Sequence, residues 1–119
     1  MNLPKSFRSR EGELAYQKAR EAGTLLPLSK EPHIKEFKYW FMVENRFPGD
    51  KAFSVHHLLL PLSEVSDWED LLDREKQEYY TIRQYYLAQE YDLVYENMPK
   101  LRSIANHFHF HCVCLKEQS

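Results

Sequence analysis

Glycine is scarce in this chain. Three occur in 119 residues, at positions 12, 23 and 49. No glycine-rich phosphate loop or dinucleotide fingerprint can be assembled from them. Cysteine is scarcer: Cys112 and Cys114 are the only two. A bridge between residues i and i+2 of one strand is strained, so both are expected to be free thiols, which fits a reducing, cytoplasmic setting. No apolar run approaches the roughly 20 residues of a membrane span. The opening stretch, MNLPKSFRSREGELAYQKAR, has no apolar segment of the kind a secretory leader needs. Neither charge sign dominates: 16 basic residues stand against 18 acidic ones, for a net −2. That argues against a nucleic-acid polymer or a membrane surface as partner, since either would need a basic excess.

Aromatic residues are plentiful, at 14%, with eight tyrosines. Length and composition are those of one globular domain. Residues 9–22 read as a surface helix, with Ser9 as N-cap and Gly23 as the left-handed stop. Residues 24–36 carry two prolines and read as a connecting arm. FKYWFMVEN (37–45) is a strand with apolar residues on both faces, hence central. A Pro-Gly turn over 46–51 leads to a second strand, 52–62, ending at Pro61. Ser66 and Glu69 have capping-box spacing. The helical segment that follows runs to about Tyr91, with a core face of Leu72, Tyr79, Ile82 and Tyr86. DLVYEN (92–97) is a third strand, 98–106 a polar loop, and 107–115 an alternating fourth strand. The expected fold is α+β: an antiparallel sheet with one long helix packed on it and an N-terminal helical extension. The division is an arm over 1–36 and a domain over 37–119.

The most unusual stretch is His107-Phe108-His109-Phe110-His111-Cys112-Val113, which holds three of the six histidines. On a strand, alternate residues share a face, so the three imidazoles point the same way, spaced by about 6.6 Å. The phenylalanines and cysteines then anchor the other face in the core. Burying three imidazoles without partners would cost a few kcal/mol each, and exposing them would need no such regularity. Two chemistries fit. One is metal binding, but the outer two rings lie about 13 Å apart along a straight strand. A metal could therefore take only two of them and would need a further ligand such as His56, giving a metal-dependent hydrolase of His109, His111 and His56. The other is phosphoryl or nucleotidyl transfer. A neutral imidazole is a good nucleophile toward phosphorus near neutral pH, and flanking imidazoles can bind phosphate oxygens and assist a leaving group. His57 points to the opposite face of its strand from His56 and reads as a packing residue. His33 reads as a surface residue.

HFHFHCV resembles the His-φ-His-φ-His-φφ signature of the histidine triad (HIT) superfamily, with φ apolar. The context is similar too. Phe41…Asn45…Pro48 matches an earlier aromatic-x-x-x-Asn-x-x-Pro segment, and His56 precedes Pro61 by five residues. SDWEDL, the long helix and YEN (95–97) follow in the family's order. The resemblance spans about 37–115. It implies a nucleotide-binding hydrolase or nucleotidyl transferase acting on nucleoside phosphoramidates, phosphoesters or dinucleoside polyphosphates. It also implies a homodimer. His109 would be the nucleophile that carries the nucleotidyl group. His111 would contact the phosphate and assist the leaving group. His107 would orient His109 through its backbone carbonyl, and His56 would be the supporting fourth histidine. Asn45 would contact ribose, and Asn97 and Ser103 would be phosphate donors. Arg102 departs from the family's neutral donors and would bring a guanidinium, which suits phosphate, to the same loop. No cofactor is required, although a divalent metal could enter on the substrate's phosphates. A histidine rather than glutamine at position 111 places the chain on the hydrolase side. The loop over 100–106 departs from the family pattern, having neither glycine nor glutamine. That departure keeps a nucleotide-binding protein with little turnover as the alternative.

Overall fold

A computed structural model of the chain describes residues 5–102, 104 and 106–118. Five strands form one antiparallel sheet: β1 (His33–Glu36), β2 (Trp40–Glu44), β3 (Phe53–Pro61), β4 (Leu93–Tyr95) and β5 (Phe110–Leu115), in the order β1-β2-β3-β5-β4. A first helix, α1 (Arg10–Glu21), precedes them, and α2 (Asp73–Ile82) lies between β3 and β4. Among the described residues no helix is long and apolar enough to cross a membrane.

Pleating sorts the central strands into two faces. Trp40, Met42, Leu59 and Cys112 share one, and α2 covers it with Tyr79 and Ile82. The Trp40 indole N–H donates to the Glu75 carbonyl across 2.8 Å, which ties helix to sheet at a fully buried position. Tyr79 stacks on Phe110 with ring centroids 4.3 Å apart. The other face carries Phe41, Val43, Leu58 and Leu60. His56 stands two residues from Leu58 on that face. Tyr95 sits opposite His111, and His111 opposite Leu58.

The α1 boundaries follow their signals. The Ser9 hydroxyl accepts from the Gly12 N–H at 3.0 Å, and Gly23 ends the helix at φ +70°. Its buried face is Glu13 and Tyr16. β2 is buried along four of its five residues and is flanked on both sides, as a strand apolar on both faces should be. β3 ends at Pro61.

Four expectations need correction. Residues 33–36 form strand β1 and not part of an arm. It is exposed along its whole length, so no burial pattern marks it, and its place comes from pairing with β2. Ser66 and Glu69 do not cap the long helix. Trp68–Asp70 is a separate short 3-10 turn, and Glu75 accepts from the Leu72 N–H at 2.7 Å to close the helix start. Leu72 and Tyr86 are not the core positions expected. Leu72 lies at the N-cap and is exposed, while a π-helical turn over Arg83–Leu87 adds one residue to the repeat. Leu87 therefore takes the buried place that α-helical spacing assigns to Tyr86. Finally, β5 begins at Phe110, three residues later than the alternation suggests.

Candidate functional site

β3 and β5 run side by side, and Leu58 pairs with His111. His56 is the diagonal neighbour of His111 on the same face, so their rings meet across the two strands. His56 Nε2 and His111 Nδ1 are 2.8 Å apart. The turn before β3 brings the Gly49 backbone N–H to 2.8 Å from His56 Nδ1.

These contacts fix the protons. A backbone N–H can only donate, so His56 Nδ1 must accept. In the neutral ring the proton then sits on Nε2, which donates to His111 Nδ1. His111 in turn carries its proton on Nε2. The Asn97 amide nitrogen lies 3.4 Å from that Nε2. Both residues line the same cavity, and in this tautomer each has an N–H to offer an anionic oxygen.

His109 is fixed independently. Its Nδ1 lies 2.9 Å from the carbonyl oxygen of His107. A carbonyl accepts only, so Nδ1 carries the proton and Nε2 keeps its lone pair. Nε2 has no partner among the described residues, and His109 lines a cavity together with His56, His111, Asn45, Asn97 and Arg102. His107 is placed differently from the expectation of three rings facing one hollow. Its ring is buried, and its Nε2–H donates to the Pro61 carbonyl at 2.9 Å. The chain here has not yet joined the β5 ladder, so strand alternation does not govern it. Its ring staples the segment to the end of β3 while its carbonyl holds His109.

Burial pushes the proton affinity of all three cavity histidines down. His56 falls to about 4, through desolvation first and then the charge of Arg8. His111 is lowered further by desolvation, with His109, His56 and Arg8 adding to it. His109 is also lowered by desolvation, partly offset by its bond to the His107 carbonyl. The desolvating surface is aromatic. Tyr95 stacks flat on His111, with centroids 4.6 Å apart and planes 5° apart, and Phe53 meets His56 edge-on. Burial thus favours the neutral form of all three imidazoles.

Asn45 lies at the end of the Asn45–Pro48 turn. Its Oδ1 accepts from the Phe47 N–H at 3.0 Å, and its Nδ2 comes to 3.4 Å from His56 Nε2. Arg102 lines the cavity, but its guanidinium is engaged at the loop. Nε donates to the Asn97 carbonyl at 3.0 Å and Nη1 to Asp67 at 3.3 Å. Ser103 lies outside the described residues. His57 faces away, as expected, and its Nδ1 hydrogen-bonds to the Tyr91 hydroxyl at 2.7 Å. His33 stacks on Phe41 from the edge strand.

Among the described residues no group of three His, Cys, Asp or Glu side chains is arranged to hold a metal ion. His56 Nε2 and His111 Nδ1 face each other, and His109 Nδ1 faces a carbonyl.

The cavity encloses about 680 Å³ and is lined by six cationic side chains and three carboxylates, in a chain of net charge −2. A neighbouring groove shares Glu31, Glu44, Asn45, Arg46 and His56 with this cavity, adds Asp50 and has Arg46 as its single lysine or arginine, a balance of the wrong sign for phosphate.

Sequence reasoning missed Arg8. It stands ahead of α1, far along the chain from the histidines. Its Nε–H donates to the Phe47 carbonyl at 2.8 Å, and its guanidinium lies over the Tyr16 ring at 4.1 Å. Ser9 binds Asp50 through both its N–H and its hydroxyl, at 2.7 and 2.8 Å, and the Lys51 N–H donates to the Phe7 carbonyl. Residues 5–9 are thus stitched to the turn that carries Gly49. No local motif marks Arg8. The only signal was a well-capped helix directly behind it.

No protein-family model matches this chain, and no curated protein matches it.

Proposed function

We propose that the chain is a nucleotide hydrolase or nucleotidyl transferase in which His109 carries the nucleotidyl group, as its likeness to the histidine triad superfamily implies. The observation that carries this reading is the 2.9 Å bond from His109 Nδ1–H to the His107 carbonyl. It leaves the Nε2 lone pair free on the wall of a cationic cavity, beside the inward donor His111 Nε2–H. A nucleophile held in the correct tautomer, next to a donor for developing charge, is the arrangement such a displacement needs.

In the first step, His109 Nε2 attacks the phosphorus of a nucleoside phosphoramidate, phosphoester or anhydride. An N–P bond forms and the bond to the leaving group breaks, with its electron pair going to the leaving atom, which takes up a proton from solvent where it is an amine or alkoxide. His109 keeps its Nδ1 proton and becomes cationic, and the His107 carbonyl stabilises that charge. His111 Nε2–H and Asn97 hold a phosphoryl oxygen. In the second step, water attacks the same phosphorus and gives up a proton to solvent, and the N–P electron pair returns to His109. Asn45 is the candidate ribose contact. No protein-bound metal takes part in this reading, although a divalent ion could accompany a polyphosphate substrate.

The test is intact-protein mass after brief mixing with an adenosine phosphoramidate or a dinucleoside polyphosphate. A single adenylyl adduct, formed in the presence of chelator and absent from His109→Ala, is the expected result. Tight nucleotide binding without adduct or product would favour a binding protein with little turnover. Activity that vanishes with chelator would favour the metal-dependent alternative.

A further inference from the structure

The histidine side of the cavity offers neutral donors, which are enough for one phosphoryl group: His111 Nε2–H and the Asn97 amide. The same cavity also carries cations. Arg8 is held there by the Phe47 carbonyl at 2.8 Å and by Glu13 at 3.3–3.4 Å, and its side chain is only 16% exposed. The Glu13 contact is long for a charge-assisted bond, which closes to about 2.7–2.9 Å when the pair is tight. Nη2 makes no bond among the described residues. The guanidinium is thus fixed in place while part of its donor fork stays open, and that fork matches a phosphate edge. Lys5 and Lys100 line the same cavity and form no ion pair among the described residues. Arg8 lies close enough to His56 and His111 for its charge to act on both. With the neutral form of those rings favoured, the cavity's positive charge comes from its lysines and arginines, these three among them.

We propose that Arg8, supported by Lys5 and Lys100, makes this cavity selective for nucleosides bearing two or more phosphoryl groups over those bearing one. The proposal rests on the nucleotide reading above and names its substrate class. A monoanionic phosphoramidate is satisfied by the neutral donors alone. Each further phosphoryl group adds negative charge that neutral donors cannot match and that Arg8, with Lys5 and Lys100, can meet. The segment before α1 is then the selective wall of the site.

The test is to titrate the full chain with adenosine 5′-monophosphate and 5′-diphosphate at low and moderate salt. Wild type should bind the diphosphate at least about tenfold more tightly, a preference that shrinks as salt screens it. Arg8→Gln should cut the preference below about threefold, and Arg8→Lys should keep more of it because the charge remains. Thermal melting checks that residues 5–9 stay seated. Lys100→Gln, on a separate loop, should lower the preference without touching that segment. Equal affinity for the two nucleotides in wild type, or a preference that survives Arg8→Gln, overturns this proposal and leaves the nucleotide reading standing. Failure of folded wild type to bind either nucleotide overturns both.

Discussion

His56 and His111 hold each other's protons in place, and the whole relay starts from one backbone N–H at Gly49. Removing the His56 ring leaves that N–H and His111 Nδ1 without partners in a buried place. His56→Ala should therefore lower stability by about 2–4 kcal/mol in urea denaturation, from lost packing and two unpaired groups. It should also depress kcat more than it raises KM, because His111 loses the neighbour that sets its tautomer. A kcat within twofold of wild type would remove the relay from the mechanism. The same burial gives a pH signature. The folded-state pKa of His56 is depressed to about 4, against the ordinary histidine value of 6.5. The unfolded chain therefore binds the extra proton first as pH falls, and stability rises with pH across this window. Between pH 7 and pH 5 this histidine alone should cost about 2 kcal/mol, with His111 shifting in the same direction. Urea midpoints measured at pH 7, 6 and 5 should fall steadily, and a flat profile would mean that these rings are not buried neutral.

At the scale of elements, the π-helical turn after α2 decides which side chain reaches the core. Leu87 is 1% exposed, while Tyr86 lies at the edge of the cluster against Phe37 and Tyr91. Leu87→Ala should cost about 3–5 kcal/mol, and Tyr86→Ala about 1–2. Denaturation of the two variants checks the order, and a reversed order would restore the uninterrupted α-helical repeat. This is also where reading by periodicity stopped. A repeat of 3.6 residues cannot announce an inserted residue, because the insertion is chosen by how the helix seats on the sheet. β2 and β3 were legible, since long apolar runs on both faces need burial whatever surrounds them. α1 was legible from Ser9 and Gly23. β1 was not, because an exposed four-residue edge strand carries no hydrophobic signature and exists through its partner. From the histidine run, His109 and His111 share a cavity, as alternate positions on one face suggest. The separate duty of His107 was hidden because the strand starts only at Phe110, and whether a polar ring finds a carbonyl such as that of Pro61 depends on tertiary contacts.

At the scale of the whole molecule, the N-terminal segment, the Gly49 turn and the histidine pair form one connected body. Phe7 packs on Phe53 with centroids 4.9 Å apart, Phe53 meets His56, and Arg8 reaches the Phe47 carbonyl. Gly49 sits where these layers touch. A Cβ added there would lie 2.7 Å from both the Phe53 ring and the Phe7 Cβ. Phe53 is buried and cannot swing aside cheaply, so residues 5–9 or the turn itself must move. Gly49→Ala should therefore cost about 1–3 kcal/mol, as overpacking of a tight contact does. It should also displace the N–H that sets the His56 tautomer and loosen the seat of Arg8. The expected outcome is a combined defect: lower thermal stability, weaker nucleotide binding and slower adduct formation in one variant, although no functional side chain has changed. Stability lost with binding and adduct rate intact would show that the N-terminal segment merely packs on the turn. Loss of all three together would show that the glycine couples the segment to the site, because position 49 touches Phe7 and Phe53 and, through its N–H, the His56–His111 pair.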